Sequence, residues 1–146
     1  MYVTAGDGQW PATNLSTLYN KLEQANADLV IGVRQDRQKV YNFWRKGLSY
    51  GFNAFAEFFL KIKVEDANGI KMGLRGIFTE KVVSKSFFAE IERIYIAQQK
   101  GLKIVCVPVI FQSRTAGKEK GAKIKNVIFT FTDLLRFMIV RPKMDL

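Results

Sequence analysis

A short apolar run bounded by polar residues, Ala27–Val33 (ADLVIGV), constrains this chain more than any other segment. It is too short for a buried helix and rich in branched side chains, so it predicts a buried strand that ends at Arg34. Ahead of it, Leu15, Leu18, Tyr19 and Leu22 recur at helical spacing and predict an amphipathic helix over residues 13–25. Before that helix stands a second apolar run, Met1-Tyr2-Val3. Strand, helix and strand in that order form a β-α-β unit, which points to an α/β fold with a parallel sheet.

The rest of the chain extends the pattern. Residues 38–60 place Val40, Trp44, Leu48, Phe52, Phe55 and Phe59 on one helical stripe, and Arg45, Ser49, Asn53 and Glu57 on a polar one. This aromatic helix packs in a core, or also touches lipid. Glu65–Met72 reads as a loop with turn residues Asp66, Asn68 and Gly69. Ser86–Lys100 predicts a second amphipathic helix with Phe87, Phe88, Ile91, Ile94 and Tyr95 inward, closed by Gly101. Lys103–Phe111 predicts a strand, and Pro108 within it requires an edge position or a bulge. Arg114–Lys125 holds five basic residues and one acidic, and reads as a mobile basic loop. Asn126–Val140 is an apolar helix or strand interrupted by Asp133 and Arg136, too short and too charged to span a bilayer but able to lie along one. The predicted organisation is therefore one domain over 1–125 and an apolar, membrane-proximal segment over 126–146.

Composition narrows the chemistry. The chain has no histidine, which excludes histidine acid–base catalysis, histidine triads and histidine-ligated zinc. Its one cysteine, Cys106, lies in an apolar run, so there is no disulfide framework and a cytoplasmic setting fits. No signal peptide opens the sequence. A net charge of +10 calls for an anionic partner. The basic residues do not alternate with exposed aromatics on one surface, so an anionic membrane or a phosphorylated substrate is expected rather than nucleic acid. Directly after the first apolar run, Asp7-Gly8-Gln9 offers a carboxylate, a tight turn and a neutral amide oxygen, the means to hold Mg²⁺ or Mn²⁺ against a nucleotide diphosphate. The same residues also make an ordinary Asp-Gly turn after a strand.

Five features in a fixed order resemble the family 2 glycosyltransferases of GT-A fold, most nearly the dolichyl- or polyprenyl-phosphate sugar transferases. They are Asp7-Gly8-Gln9 after the first strand, Ile31-Gly32-Val33-Arg34, Arg45 with Ser49 four residues later, Asp66-Ala67-Asn68-Gly69-Ile70-Lys71, and Glu92 nine residues before Gly101. The last of these leads through Val107-Pro108-Val109 to Arg114-x-x-Gly117. Two departures stand out. Ala5 occupies the position where the family's metal motif opens with a first aspartate, and the family's base- and ribose-binding strands would precede residue 1. The resemblance therefore implies a partial, Rossmann-like GT-A fold: the C-terminal part of a catalytic domain, with the N-terminal nucleotide-binding strands missing or carried on a separate chain.

The resemblance implies hexose transfer from a nucleotide sugar to a polyprenyl or dolichyl phosphate at the cytoplasmic face of a membrane. Asp7 and Gln9 would hold the metal, and Asp66 and Lys71 would help shape the sugar pocket. Arg114, with Lys118 and Lys120, would close over the departing diphosphate. Arg34, Arg45 and Ser49 would hold the acceptor phosphate, since an arginine fork pairs two hydrogen bonds with phosphate oxygens. Asp66 or Glu92 would act as base if the acceptor were a hydroxyl. Other readings of the residues stay open: a non-catalytic basic protein of the membrane surface, or an inactive pseudo-enzyme fragment.

Overall fold

The computed structural model describes residues 1–35, 54, 57, 58, 60–62, 66–112 and 124–140. The helix expected over 38–60 and the basic loop over 114–123 fall largely outside the described residues. Those described form a small α/β domain with a mixed four-stranded sheet and four helices. In chain order they are β1 (Tyr2–Val3), α1 (Thr13–Ala25), β2 (Leu29–Arg34), β3 (Lys71–Gly73), α2 (Arg75–Thr79), α3 (Phe88–Gln99), β4 (Ile104–Val109) and α4 (Ile124–Val140).

The strand order is β1-β3-β2-β4. β2 and β4 pair in parallel from Leu29 opposite Ile104 to Arg34 opposite Val109, while β3 runs antiparallel to both β1 and β2. The expectation of a parallel sheet is thus corrected in one strand. The opening β-α-β unit is present, but its strands are held apart by β3. That strand comes from the stretch read as a loop, and three residues are too few to show a period. Pro108 lies on β4, which is an edge strand among the described residues, where a missing N–H is tolerated.

β2 is the centre of the core. Its alternate residues face opposite sides of the sheet. Leu29 and Ile31 pack with α3 and α4 residues such as Phe88, Ile94, Ile96 and Phe137, while Val30 packs on the other side with Leu18 of α1, Ile70, Met72 and Val109. Burial on both faces is why the run that encodes it shows no polar alternation. On α1, Leu15 and Tyr19 are exposed rather than inward, and Asn14 is buried beside Leu18. The Asn14 side chain donates to the Ile110 carbonyl at 2.8 Å and accepts from the Ile110 N–H at 3.0 Å, tying α1 to the end of the edge strand. α3 begins one residue later than the inward set required, so Phe87 sits at its N-cap and is exposed. Gly101 takes φ +71°, the left-handed conformation expected of a residue that stops a helix.

The last segment is a helix, and it starts at Ile124, inside the stretch read as loop. Phe137 meets Phe88 and Tyr95 edge-on, each with ring centroids 5.4 Å apart, and is fully buried with Leu134. No helix among the described residues is long and apolar enough to cross a membrane. Asp133, which interrupts the apolar run, is buried and accepts the N–H groups of Lys85 at 2.8 Å and Ser86 at 2.7 Å, just before α3. Burial opposes its charge, but the hydrogen bonds from Ser86 and Lys85 and the nearby Arg136 outweigh it and hold the carboxyl below its ordinary value of 3.8. A lowered carboxylate value means stability that is complete above the ordinary value and is lost as pH falls through the lowered one. Asp133→Ala should lower stability by about 1.5–3 kcal/mol at neutral pH, because two amides lose a charged acceptor. Urea titrations at pH 7 and at pH 2 should show that penalty shrinking in acid. An undiminished penalty at pH 2 would contradict the assignment.

Candidate functional site

Strand directions decide which loops meet. β2 and β4 run together, and β1, antiparallel to β3, runs with them. The segments that follow β1, β2 and β4 therefore share one edge of the sheet with the turn that precedes β3. This is the edge at which open α/β sheets bind ligands. Five of the residues singled out in the sequence gather there: Asp7, Gln9, Arg34, Asp66 and Lys71.

The first of these segments is closed by its own side chains. Gly8 takes φ +72°, and Asp7 Oδ1 accepts the Gln9 N–H at 3.2 Å, an Asx turn. Gln9 is buried and bonded to Gln112 beyond β4. Its carbonyl accepts the Gln112 N–H at 2.9 Å, and its side-chain amide donates to the Gln112 carbonyl at 3.3 Å. This clamp brings Trp10 and Phe111 together, with ring centroids 4.9 Å apart. The Arg34 guanidinium lies over both rings, 5.9 Å from Trp10 and 5.1 Å from Phe111.

Arg34 leaves the end of β2 and grips Asp66 with two parallel hydrogen bonds, Nε to Oδ2 at 2.5 Å and Nη2 to Oδ1 at 2.7 Å. Asp66 is almost fully buried. The turn that carries it, Asp66 to Ile70, lies directly against β2, and the Gly32 N–H donates to the Ile70 carbonyl at 2.8 Å. Five residues after Asp66, Lys71 is buried with its ammonium on the Gly69 carbonyl at 3.1 Å and on Glu90 Oε2 at 3.0 Å. Burial pushes the Lys71 ammonium below its ordinary value of 10.5, against the pull of Glu90 and Asp66 and with help from Arg93. Glu90 also binds Arg93 at 2.6 Å.

Glu92 is placed elsewhere. It is fully buried, and its two carboxylate oxygens accept the N–H groups of Val83 at 2.6 Å and Ser84 at 3.0 Å, which fastens that turn to α3. The α3 carboxylate that meets Lys71 is Glu90, which was passed over in the sequence. Two residues apart on a helix are about 200° apart around its axis, so the two carboxylates serve different surroundings. The Glu90-x-x-Arg93 spacing, three residues on one helix face, was the available signal. Arg45, Ser49, Arg114, Lys118 and Lys120 lie outside the described residues.

The donor set near Asp7 suits a hard cation that brings most of its own ligands. Mg²⁺ is commonly held by one or two carboxylates together with substrate phosphates and water. Among the described residues no group of three or more carboxylate, cysteine or histidine side chains forms a protein cage. Asp7 fits the single-carboxylate case, and the Gln9 side chain beside it is anchored through its amide nitrogen to Gln112. No family model matches this chain, and none of the curated proteins matches it either.

Proposed function

We propose that this chain carries the acceptor side and the diphosphate side of a glycosyltransferase site, moving a hexose from a GDP-mannose- or UDP-glucose-type donor to a polyprenyl or dolichyl phosphate. The observation that carries this reading is the convergence of Asp7, Arg34, Asp66 and Lys71 on one edge of the sheet, beside the Trp10–Phe111 pair. In this proposal Asp7 binds Mg²⁺ or Mn²⁺ together with the donor diphosphate, and the metal supplies charge for its departure. Arg114, with Lys118 and Lys120, adds positive charge at the leaving group. An acceptor phosphate is already anionic and needs no strong base, so positioning matters more than proton transfer. Arg34, oriented by Asp66, faces that acceptor with Arg45 and Ser49. None of the described strands is assigned to the base and ribose in this proposal.

Transfer of labelled sugar to polyprenyl phosphate, with a nucleotide-binding half supplied in fusion, tests the reading. Arg114→Ala should slow turnover by roughly a hundredfold, the usual effect of removing one donor from a developing anion. Arg45→Ala should instead raise the apparent constant for the lipid phosphate, with a smaller change in turnover. Unchanged transfer in both variants, in a folded and active fusion, would show that these residues do not serve the site.

Peripheral attachment to an anionic bilayer belongs to the same proposal, and a non-catalytic membrane-surface protein would share it. It is supported by the outer face of α4. Ile128, Phe131, Leu135 and Ile139 form an exposed row, flanked by exposed Lys125 and Arg136. An apolar stripe edged by basic residues suits the headgroup boundary. Flotation with anionic vesicles should show binding that weakens with salt. The double substitution Ile128→Glu/Ile139→Glu should abolish it, with stability changed by about 0.5 kcal/mol or less, since both side chains are mostly exposed. Vesicle binding that survives this change would remove α4 from the contact.

A further inference from the structure

A cleft between α2 and α3, apart from the strand-edge site, has a composition of its own. Its volume is about 170 Å³, and its walls are mainly Leu74, Ile77, Ile96, Ala97 and Leu102. That is close to the ~150 Å³ of an apolar cavity able to take a benzene molecule. Charged groups stand at its boundary. Glu80 and Lys100 neutralise each other in an ion pair. Arg93 has no such balance. Its Nη1 binds Glu90, but Glu90 is shared with Lys71, so two cations divide one carboxylate. The Arg93 Nε is enclosed and has no hydrogen-bond acceptor among the described residues. A buried charged donor without an acceptor is unfavourable, and its presence calls for a missing partner.

We propose that this cleft binds a small monocarboxylate with a short apolar body, its carboxylate taken by Arg93. One negative charge matches the one surplus positive charge of the Lys71–Glu90–Arg93 group. A phosphate dianion is a poorer match: its oxygens would face apolar walls, and its second charge would face Glu80 and Glu90. A planar guanidinium pairs well with a carboxylate, and a small rotation of the partly exposed Arg93 side chain would give its enclosed Nε that acceptor. The apolar body fills the space against Ile77, Ile96 and Leu102. The site is independent of the proposed transfer reaction.

Titration of the isotope-labelled full chain with sodium hexanoate, followed by NMR, tests this directly. Saturable shifts are expected at the amides of Ala97 and Leu102 and at the Arg93 Nε–H. The dissociation constant should be about 1 mM, an ordinary affinity for a ligand of this size. Hexanol should bind at least tenfold more weakly, and inorganic phosphate should give no saturable shift at these residues. Arg93→Gln should weaken hexanoate at least tenfold. Arg93→Lys, which keeps the charge for Glu90 but lacks Nε, should fall between Arg93→Gln and the unaltered chain. The proposal is overturned by no saturable shift up to about 20 mM hexanoate, twentyfold above the expected constant. It is equally overturned by hexanol or phosphate binding as tightly as hexanoate, or by hexanoate binding undiminished in both folded Arg93 variants.

Discussion

Gly69→Ala should destabilise the domain by at least about 4 kcal/mol, a loss reserved for the severest single substitutions and close to the whole stability of many domains. A Cβ built at residue 69 would lie 2.0 Å from the Gly32 carbonyl oxygen and 3.2 Å from that of Asp66. Both obstacles are backbone, so no side chain can turn away to make room. Gly32 belongs to β2, the strand buried on both faces, and its own N–H is bonded to Ile70. Relief would require lifting the Asp66–Ile70 turn off the sheet, which also separates Asp66 from Arg34 and Lys71 from Glu90. Gly76→Ala is the matched control. Its Cβ would meet nothing within 4 Å, and it lies in α2, where alanine is the better helix former by about 1 kcal/mol. Urea unfolding of the two variants should therefore move in opposite directions. A Gly69→Ala protein within 1 kcal/mol of the unaltered chain would mean that the turn does not rest on β2.

Asp66→Ala should be nearly as damaging, by about 3–5 kcal/mol, because it removes one partner of a largely buried ion pair. Asp66 is 1% exposed and the Arg34 side chain 11%. Much of the loss comes from keeping one charge of the buried pair without the carboxylate that grips it, so a double substitution should recover much of it. Arg34→Met/Asp66→Leu should be more stable than Asp66→Ala alone, with a coupling of about 1–3 kcal/mol in the double-mutant cycle. Denaturant midpoints for the unaltered chain, Arg34→Met, Asp66→Leu and the double variant give that coupling. Strict additivity would show that the two side chains act separately. Vesicle flotation provides an independent readout, since α4 is remote in sequence from both residues and should bind as before in any variant that stays folded.

Much of the secondary structure was legible because it follows from local rules. The helix over 13–25 coincides with α1, although of the apolar residues whose spacing predicted it only Leu18 and Leu22 pack in the core. β2 was visible as a bounded apolar run, and it ends at Arg34 as expected. Gly101 marks the end of α3 because φ +71° is open to glycine at little strain. Pro108 left an edge position or a bulge for β4, because a residue without an N–H cannot serve two neighbours, and among the described residues β4 is at the edge. The candidate site was legible in part: Asp7 was identifiable as a carboxylate able to hold a metal, Arg34 as a cation able to hold a phosphate, and Asp66 and Lys71 as polar residues able to shape a sugar pocket.

Tertiary structure alone decided how those pieces combine. β3 is three residues long, and only pairing to β1 on one side and β2 on the other makes it a strand. Arg34 and Asp66 are 32 positions apart, so nothing local announces that the fork of one grips the carboxylate of the other. The choice of Glu90 over Glu92 for Lys71 depends on which side of α3 faces the sheet edge. Asp133 reads as a flaw in an apolar segment until the amides of Lys85 and Ser86, 48 and 47 positions away, are brought to it. Asn14 reads as a polar start to a helix until Ile110 supplies both of its partners. Short-range patterns record which face of a segment must leave water, and they are written in adjacent residues. The partners of a buried polar group are set by chain topology, and no window of neighbouring residues contains them.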